Sequence, residues 1–197
     1  MRYPVEQKAE THERIIDAAA RSFREHGSEG QGVARLMKEV GLTHGGFYRH
    51  FESKEDLYVD AISRAFQEVA DKMIAAAAKA PQGKQLHAII ERYLSLEHLE
   101  DPGSGCVLST LAIEIARQRP AVRARINAAM KSYRDRLLLF FPGKDDVEKR
   151  RQFIVLFPAM AGILMTARAI TDPAAREEIL SVARRFYISA FAEQNSK

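Results

Sequence analysis

The segment from Val33 to Leu57, VARLMKEVGLTHGGFYRHFESKEDL, constrains the fold of this chain more than any other part of the sequence. Its first eight residues carry apolar side chains at the spacing of a short amphipathic helix, namely Val33, Leu36, Met37 and Val40. Gly41 is predicted to end that helix in a left-handed conformation, with Leu42 packing back underneath. Thr43 is predicted to cap a second short helix. Two short helices joined in this way predict a helix-turn-helix.

The second helix is predicted to bury one face and to present the other. Phe47 and Phe51 lie four residues apart and point inward, whereas Tyr48 is turned about 100° away. Gly45 and Gly46 lower the helix propensity of this segment. Glycines at this position make sense where a helix N-terminus approaches a surface closely, and the DNA major groove is such a surface. The segment is therefore predicted to bind DNA.

A longer pattern runs through the same segment. It reads G-[LV]-[ST]-x-G-x-[FL]-Y-x-H-F-x-[ST]-K-x-x-L, and the residues that meet it are Gly41, Leu42, Thr43, Gly45, Phe47, Tyr48, His50, Phe51, Ser53, Lys54 and Leu57. This pattern resembles the motif of the TetR family of bacterial transcriptional regulators. The resemblance covers about the first third of the chain closely. Gln31 and Gly32 depart from it, because family members usually place Thr or Ser there, and a possible phosphate-contacting hydroxyl is missing.

The residues and the resemblance together predict a DNA-binding set. Base edges are assigned to side chains at the start of the second helix, and phosphates to Tyr48 and Lys54. Lys54 opens a helix where the dipole favours anions, and a phosphate would remove that conflict. For His50, backbone contact and local packing remain open alternatives. The full predicted set is Arg35, Thr43, His44, Gly45, Gly46, Tyr48, Arg49, His50 and Lys54. This prediction depends on the local face, because the first sixty residues carry more acidic than basic side chains despite a net charge of +4.

The rest of the chain is predicted to be helical, in an all-α fold of about nine helices. A helix-turn-helix DNA-binding domain is expected over residues 1–53, and a ligand-binding and dimerisation domain over 54–197. A capping pair, Ser53 and Asp56, begins a long helix from Lys54 to about Ala80. The other predicted helices are Glu10–His26, Gln85–His98, Cys106–Gln118, Pro120–Phe140, Asp146–Ile170 and Pro173–Phe191.

Apolar stripes on the last two helices predict a homodimer, although they are also compatible with ordinary core. Two-fold symmetry would match a palindromic operator in double-stranded DNA, and the resemblance implies a four-helix dimer bundle. The predicted interface residues are Phe157, Leu164, Ile179, Val182 and Phe186. Polar tips among apolar residues predict a cavity for a small, largely apolar effector, with plain core as the alternative for each residue. The predicted lining residues are Tyr93, His98, Cys106, Met130, Tyr133 and Met160.

Several classes of protein are disfavoured by what the sequence lacks. No apolar run of about 18 residues is found, with Phe153–Met165 coming nearest, and the N-terminus lacks the apolar segment of a signal peptide. The histidines and the single cysteine show no metal-ligand spacing, so no metal and no cofactor are expected. No nucleophile elbow, carboxylate pair or phosphate loop indicates an enzyme. A cytoplasmic protein that is not an enzyme is the simplest interpretation.

Three functions remain open at this stage. The leading hypothesis is a homodimeric transcriptional repressor that a small molecule releases from DNA. A DNA-binding architectural or adaptor protein without ligand sensing is the first alternative. The second is a thiol-based redox or electrophile sensor through Cys106, since a helix N-terminus lowers the pKa of a thiol. Lone cysteines are more often small buried apolar residues.

Overall fold

The computed structural model describes residues 5–28 and 32–192, and the regular elements in those ranges are all helical. Gln31 lies outside them. The α-helices of these ranges are α1 (Val5–His26), α2 (Val33–Glu39), α3 (Lys54–Lys79), α4 (Gln85–Tyr93), α5 (Leu96–Glu100), α6 (Leu108–Arg117), α7 (Pro120–Leu137), α8 (Asp146–Ala169) and α9 (Pro173–Tyr187). The prediction of an all-α fold, with an N-terminal helix-turn-helix and a C-terminal helical domain, is confirmed.

The N-terminal unit follows the predicted apolar spacing. Gly41 ends α2 with a φ of 76°, and the Leu42 amide donates to the Met37 carbonyl at 2.8 Å, which turns the chain back beneath the helix. The predicted inner face of α1 is buried, namely Ile15, Ala19 and Phe23. Helix α1 begins at Val5 rather than at Glu10, because the residues between them are good helix formers. The spacing of apolar residues along the sequence therefore accounts for the structure of the N-terminal unit.

Helix α3 connects the two ends of the molecule. The Ser53 hydroxyl accepts a hydrogen bond from the Asp56 amide at 3.1 Å, so the predicted cap is present. The helix packs against α1 on one side and against α4 and α7 on the other. Its 26 residues span about 39 Å. Helix α3 thus carries Lys54 at its first residue and side chains of the C-terminal core further along.

Other predicted helices also differ from the observed ones. The predicted Gln85–His98 helix divides into α4 and α5, because Ser95 caps α5 by accepting from the His98 amide at 3.1 Å. Helix α6 begins at Leu108 rather than at Cys106, whose amide instead donates to the His98 ring at 2.8 Å. The second motif helix, His44–Arg49, is a 3-10 helix, which suits its short length and two glycines.

Helix α8 corrects the expectation that no segment is apolar and long enough to cross a membrane. By length and composition alone it passes that test, with a mean hydropathy of 1.5 over its most apolar 18 residues. The core helix of a soluble protein passes the same test. The buried side chains of α8 include Phe153, Leu156, Phe157, Met160 and Leu164, and they pack in the protein core. Packing in the core therefore accounts for the apolar character of these buried residues of α8.

Candidate nucleic-acid interface and buried cavity

The 3-10 helix His44–Arg49 separates inward from outward side chains as its spacing predicts. Phe47 and Phe51 are buried and stack with ring centroids 5.4 Å apart. Tyr48 is 65% exposed and points away from them. Thr43 precedes the helix in an extended conformation, but its hydroxyl makes no capping hydrogen bond, contrary to the prediction. A phenol and an uncommitted hydroxyl are therefore presented on the outer face.

The two adjacent glycines of this helix have different surroundings. A Cβ at Gly46 would lie 3.7 Å from the Met37 side chain, whereas a Cβ at Gly45 would meet nothing within 4 Å. Neither glycine has a positive φ. The packing of the protomer therefore does not require glycine at position 45, and the open space beside it faces outward.

Basic side chains surround this outer face. Arg49 and Lys54 are exposed, and exposed Arg35 pairs with Glu39, with a distance of 3.4 Å between its Nε and the Oε1. The acidic residues that follow Lys54 are paired with arginines, Glu55 with Arg119 and Asp56 with Arg125. The local field near Lys54 is consequently more positive than the sequence composition implies.

Two arginines, one at the N-cap of α7 and one within it, bind the carboxylates in the first turn of α3. Arg119 pairs with Glu55, and Arg125 Nη1 lies 2.7 Å from Asp56 Oδ1. The hydrogen bond from the Ser53 hydroxyl, followed by that from Arg125, lowers the pKa of Asp56. These pairs connect the C-terminal domain directly to the turn that carries Lys54.

His50 lies at the edge of this face and is only half-buried. Its Nδ1 is buried without a hydrogen-bond partner, and the His12 ring stacks on Phe51 with centroids 4.5 Å apart. Burial lowers the pKa of His50, and the positive charges of His12, Lys8 and Arg49 lower it further. His50 is thus uncharged at neutral pH. This favours local packing over a charged phosphate contact, between the two alternatives that the sequence left open.

A cavity of about 300 Å³ lies between α3, α4, α7 and α8. Four of the six predicted lining residues are present, namely Tyr93, Cys106, Met130 and Tyr133. The other two are corrections, because Met160 is buried in the core and His98 bonds to the backbone instead. Sequence reasoning missed Phe66, Leu108, Asn127, Lys131, Arg134, Phe153, Ile154, Phe157 and Pro158. The i, i+3, i+7 spacing of Asn127, Met130 and Arg134 could have indicated the α7 contribution.

The hydroxyls of Tyr93 and Tyr133 are buried at this cavity without an oxygen or nitrogen partner, and that of Tyr93 lies near the Cys106 thiol. Burial raises the pKa of both phenols well above the usual value, and proximity to Cys106 raises it further. Both hydroxyls therefore remain protonated and able to donate. Cys106 itself is buried and precedes the first turn of α6.

A polar contact joins the cavity to the N-terminal unit. Buried Arg24 of α1 donates to the Gly105 carbonyl at 3.2 Å and to Glu68 of α3 at 2.6 Å. Gly105 adjoins Cys106 in sequence, and Lys72 donates to the preceding Ser104 carbonyl at 2.8 Å. Movement of the loop before α6 would consequently act on α1 through the Arg24 guanidinium.

His98 holds the same loop from the other side. Its Nδ1 lies 2.6 Å from the Tyr93 carbonyl, and its Nε2 accepts from the Cys106 amide at 2.8 Å. Only the neutral ring can donate at one nitrogen and accept at the other. Burial, the largest cause, lowers the pKa of His98 to about 4.

His98 is expected to make the protein less stable as the pH falls from about 6.5 to 4. The unfolded chain takes up the proton near pH 6.5, before the folded protein does, so stability is present above that value and is lost below it. The expected contribution is about 3 kcal/mol in the free energy of unfolding. Urea unfolding of the wild type and of His98→Gln across this range measures it. The variant should be less stable at pH 7 and should show a shallower pH dependence, and equal slopes would contradict this role.

The apolar face of α8 and α9 is divided between core and surface. Phe157 and Leu164 are buried within the single chain, so their predicted place in a dimer interface is wrong. Phe157 packs edge to face on Tyr93 and Tyr133, and α8 itself packs on α5, α6 and α9. Val182 and Phe186 are exposed, and Ile179 is half-buried beside them. Further exposed apolar residues on α8 are Ile154, Val155 and Met165.

Comparisons with known proteins identify the family of the N-terminal unit. The family model described as bacterial regulatory proteins, tetR family, matches residues 15–61. A TetR transcriptional regulator from Chloroflexus aurantiacus is 25% identical with a TM-score of 0.74, and the match covers 94% of this chain and 97% of that one. Residues 15–61 belong to the TetR family, and the chain as a whole has the fold of its regulators.

Two further matches show how far the similarity extends. The fatty acid metabolism regulator protein of Bacillus subtilis (strain 168) is 25% identical over 130 residues, which are 66% of this chain and 65% of that relative. The chain thus spans slightly less than two thirds of its length. FadR from Bacillus subtilis, in complex with stearoyl-CoA, has a TM-score of 0.62 at 22% identity, covering 87% of this chain and 96% of that one. That likeness shows the fold alone.

Proposed function

We propose that this chain is a sequence-specific DNA-binding transcriptional regulator, a homodimeric repressor that a small molecule releases from its operator. The observation that carries the proposal is the outer face of the 3-10 helix, where open space at Gly45 lies beside exposed Tyr48 and Arg49. A helix without side-chain bulk at its N-terminus can approach the major groove closely. Family membership agrees with this role.

The proposed contacts divide into base edges and phosphates. Base edges are assigned to exposed residues of the 3-10 helix and its cap, namely Thr43, His44, Gly45 and Arg49. Phosphates are assigned to Tyr48, Lys54 and Arg35, and Gly46 serves close packing on Met37. His50 supports the face rather than contacting DNA by charge. On this basis residues 1–53 form the DNA-binding domain, and residues 54–197 the ligand-binding and dimerisation domain.

Lys54→Ala is expected to weaken DNA binding about equally for all sequences. The lysine would release one condensed counterion per protomer, so the slope of log affinity against log salt should fall by roughly one unit for each protomer. Titrations of operator and random DNA at several salt concentrations measure both effects. Lys79→Ala, at the opposite end of α3, is the matched control and should leave the slope unchanged. Loss of sequence preference in Lys54→Ala would assign this residue to base readout instead.

The dimer is proposed to form through the exposed part of α8 and α9, around Val182 and Phe186. A two-fold pair of 3-10 helices would read two half-sites about one helical turn or more apart. Selection of bound sites from random DNA tests the whole proposal, and an imperfect palindrome is the expected result. Enrichment of a single half-site would contradict the dimer, and no enrichment would contradict sequence-specific binding.

Release by an effector is proposed to act from the cavity on α1 and on the first turn of α3, which carries Lys54. Cys106 lines the cavity and adjoins Gly105, which Arg24 of α1 binds. Arg125 of α7 and Arg119 at its N-cap hold the first turn of α3. A ligand that favours one position of these elements must disfavour DNA binding by linkage, by about 1–3 kcal/mol or roughly five- to 150-fold. A structural neighbour with bound stearoyl-CoA agrees with a ligand site in this fold. If no fraction of a small-molecule extract changes the operator affinity, an architectural role is favoured instead.

A further inference from the structure

The cavity between α3, α4, α7 and α8 has a chemical composition that limits what can occupy it. Its aromatic walls are Phe66, Phe153 and Phe157, together with the rings of Tyr93 and Tyr133. Phe157 meets Tyr93 edge to face at 5.5 Å and Tyr133 at 5.6 Å between centroids. Ring edges and faces arranged in this way can pack against the ring of an aromatic ligand.

Two hydroxyls at this cavity have no oxygen or nitrogen acceptor. Those of Tyr93 and Tyr133 are buried without such a partner, and the Tyr93 hydroxyl lies near only the Cys106 thiol, which is a weak acceptor. The two phenols are near enough to affect each other electrostatically. An unpaired buried hydroxyl is unfavourable, and a ligand oxygen that accepts from it relieves the cost. A carbonyl oxygen has two lone pairs, so a single atom can accept from both donors.

Charge disfavours a cationic occupant. No carboxylate is among the described lining residues, whereas Lys131 and Arg134 are, and only Arg134 is paired, with Asp135 at 2.7 Å. A cationic ligand would therefore be repelled, despite the aromatic walls. The cavity volume of about 300 Å³ is at the lower end of the range for small-molecule sites, about 300–1,000 Å³, which suits a small ligand.

We propose that the effector of this protein is a small, uncharged aromatic ketone or aldehyde, whose carbonyl oxygen accepts hydrogen bonds from Tyr93 and Tyr133. This inference rests on the proposed effector-released regulator and names the class of its ligand. The ring fills the space between the phenylalanine side chains. The carbonyl group pairs the two donors that the protein leaves unsatisfied.

The test compares acetophenone with α-methylstyrene, which replaces the carbonyl oxygen by a methylene group at the same size and shape. The wild type is expected to bind acetophenone at least about ten-fold more tightly, because the methylene leaves both hydroxyls unpaired. Calorimetry on the full chain without DNA measures both affinities. Equal affinities, or tighter binding of phenyltrimethylammonium, would overturn the inference.

Removal of the two hydroxyls should abolish this discrimination. In Tyr93→Phe/Tyr133→Phe the affinity ratio should fall to about one, while α-methylstyrene binds as before and the melting temperature of the free protein rises. Tyr58→Phe is the matched control, since its buried hydroxyl is also unpartnered but does not line the cavity. It should raise the melting temperature and leave the ratio unchanged. An unchanged ratio in the double variant would overturn the assignment.

Operator titrations separate this inference from the proposed function. If the wild type binds its operator and discriminates between the probes, acetophenone should also weaken operator binding. Operator binding without discrimination between the probes would overturn the ligand class and retain the DNA-binding regulator. Failure to bind any selected DNA, with discrimination intact, would overturn the proposed function and retain the ligand class.

Discussion

Replacing Phe186 by Asp is expected to convert the protein into a folded monomer that no longer binds a palindromic operator tightly. Phe186 is 65% exposed in the protomer, so a carboxylate there stays solvated until a second subunit covers it. Burying that unpaired charge and losing the aromatic contact should weaken the dimer by about 3–4 kcal/mol, or roughly 100- to 1,000-fold in dissociation constant. Light scattering and sedimentation over a dilution series measure the change.

Two other substitutions sharpen this test. Leu139→Asp places the same charge on another exposed apolar residue, in the short helix Leu138–Phe140 outside α8 and α9, and should leave the dimer intact. Leu164→Asp should unfold the protein, because Leu164 is fully buried in the protomer. A Phe186→Asp protein that stays dimeric at low concentration would place the interface elsewhere.

Gly45→Leu is expected to abolish specific operator binding while leaving the fold intact. The new side chain meets nothing in the protomer, since even its Cβ has no neighbour within 4 Å. It would instead fill the space through which the 3-10 helix approaches the groove floor. Affinity should fall to the level of random DNA, a loss of at least about 1,000-fold. Operator titration measures the loss, and circular dichroism checks the fold.

The thermal stability of Gly45→Leu should be unchanged or slightly higher, because leucine favours helical backbone over glycine by about 0.8 kcal/mol. Ala128→Leu, on the exposed side of α7, adds bulk remote from the 3-10 helix and should bind the operator normally. A Gly45→Leu protein with wild-type operator affinity would refute the docking of this helix in the major groove.

The interface that Phe186→Asp tests and the helix that Gly45→Leu tests differ in how far the sequence alone predicts them. The turn at Gly41, the cap at Ser53 and the outward direction of Tyr48 follow from residues within a few positions of each other. The sequence therefore predicted the helix-turn-helix before any tertiary contact was known. It also predicted helical periodicity correctly in α8 and α9, yet it placed Phe157 and Leu164 with Val182 and Phe186 in one interface.

The contacts that connect the cavity to the DNA-binding unit were not predicted. Arg24 reaches Gly105 across 81 positions of sequence, and Arg125 reaches Asp56 across 69. Nothing near Arg24 in the sequence distinguishes it from the other basic residues of an amphipathic helix. His98 was likewise assigned to the cavity, because a histidine among apolar residues does not indicate whether its ring bonds to a ligand or to the backbone.

The sequence by itself determined most of the helices, the position of the turn at Gly41 and the outward face of the 3-10 helix. These depend on backbone propensities, caps and spacings that act within one or two helical turns. The tertiary structure decided which apolar side chains are core, which remain exposed and which enclose a cavity. Apolar periodicity records that a side chain avoids water, but what covers that side chain depends on helices distant in sequence, and only their packing determines it.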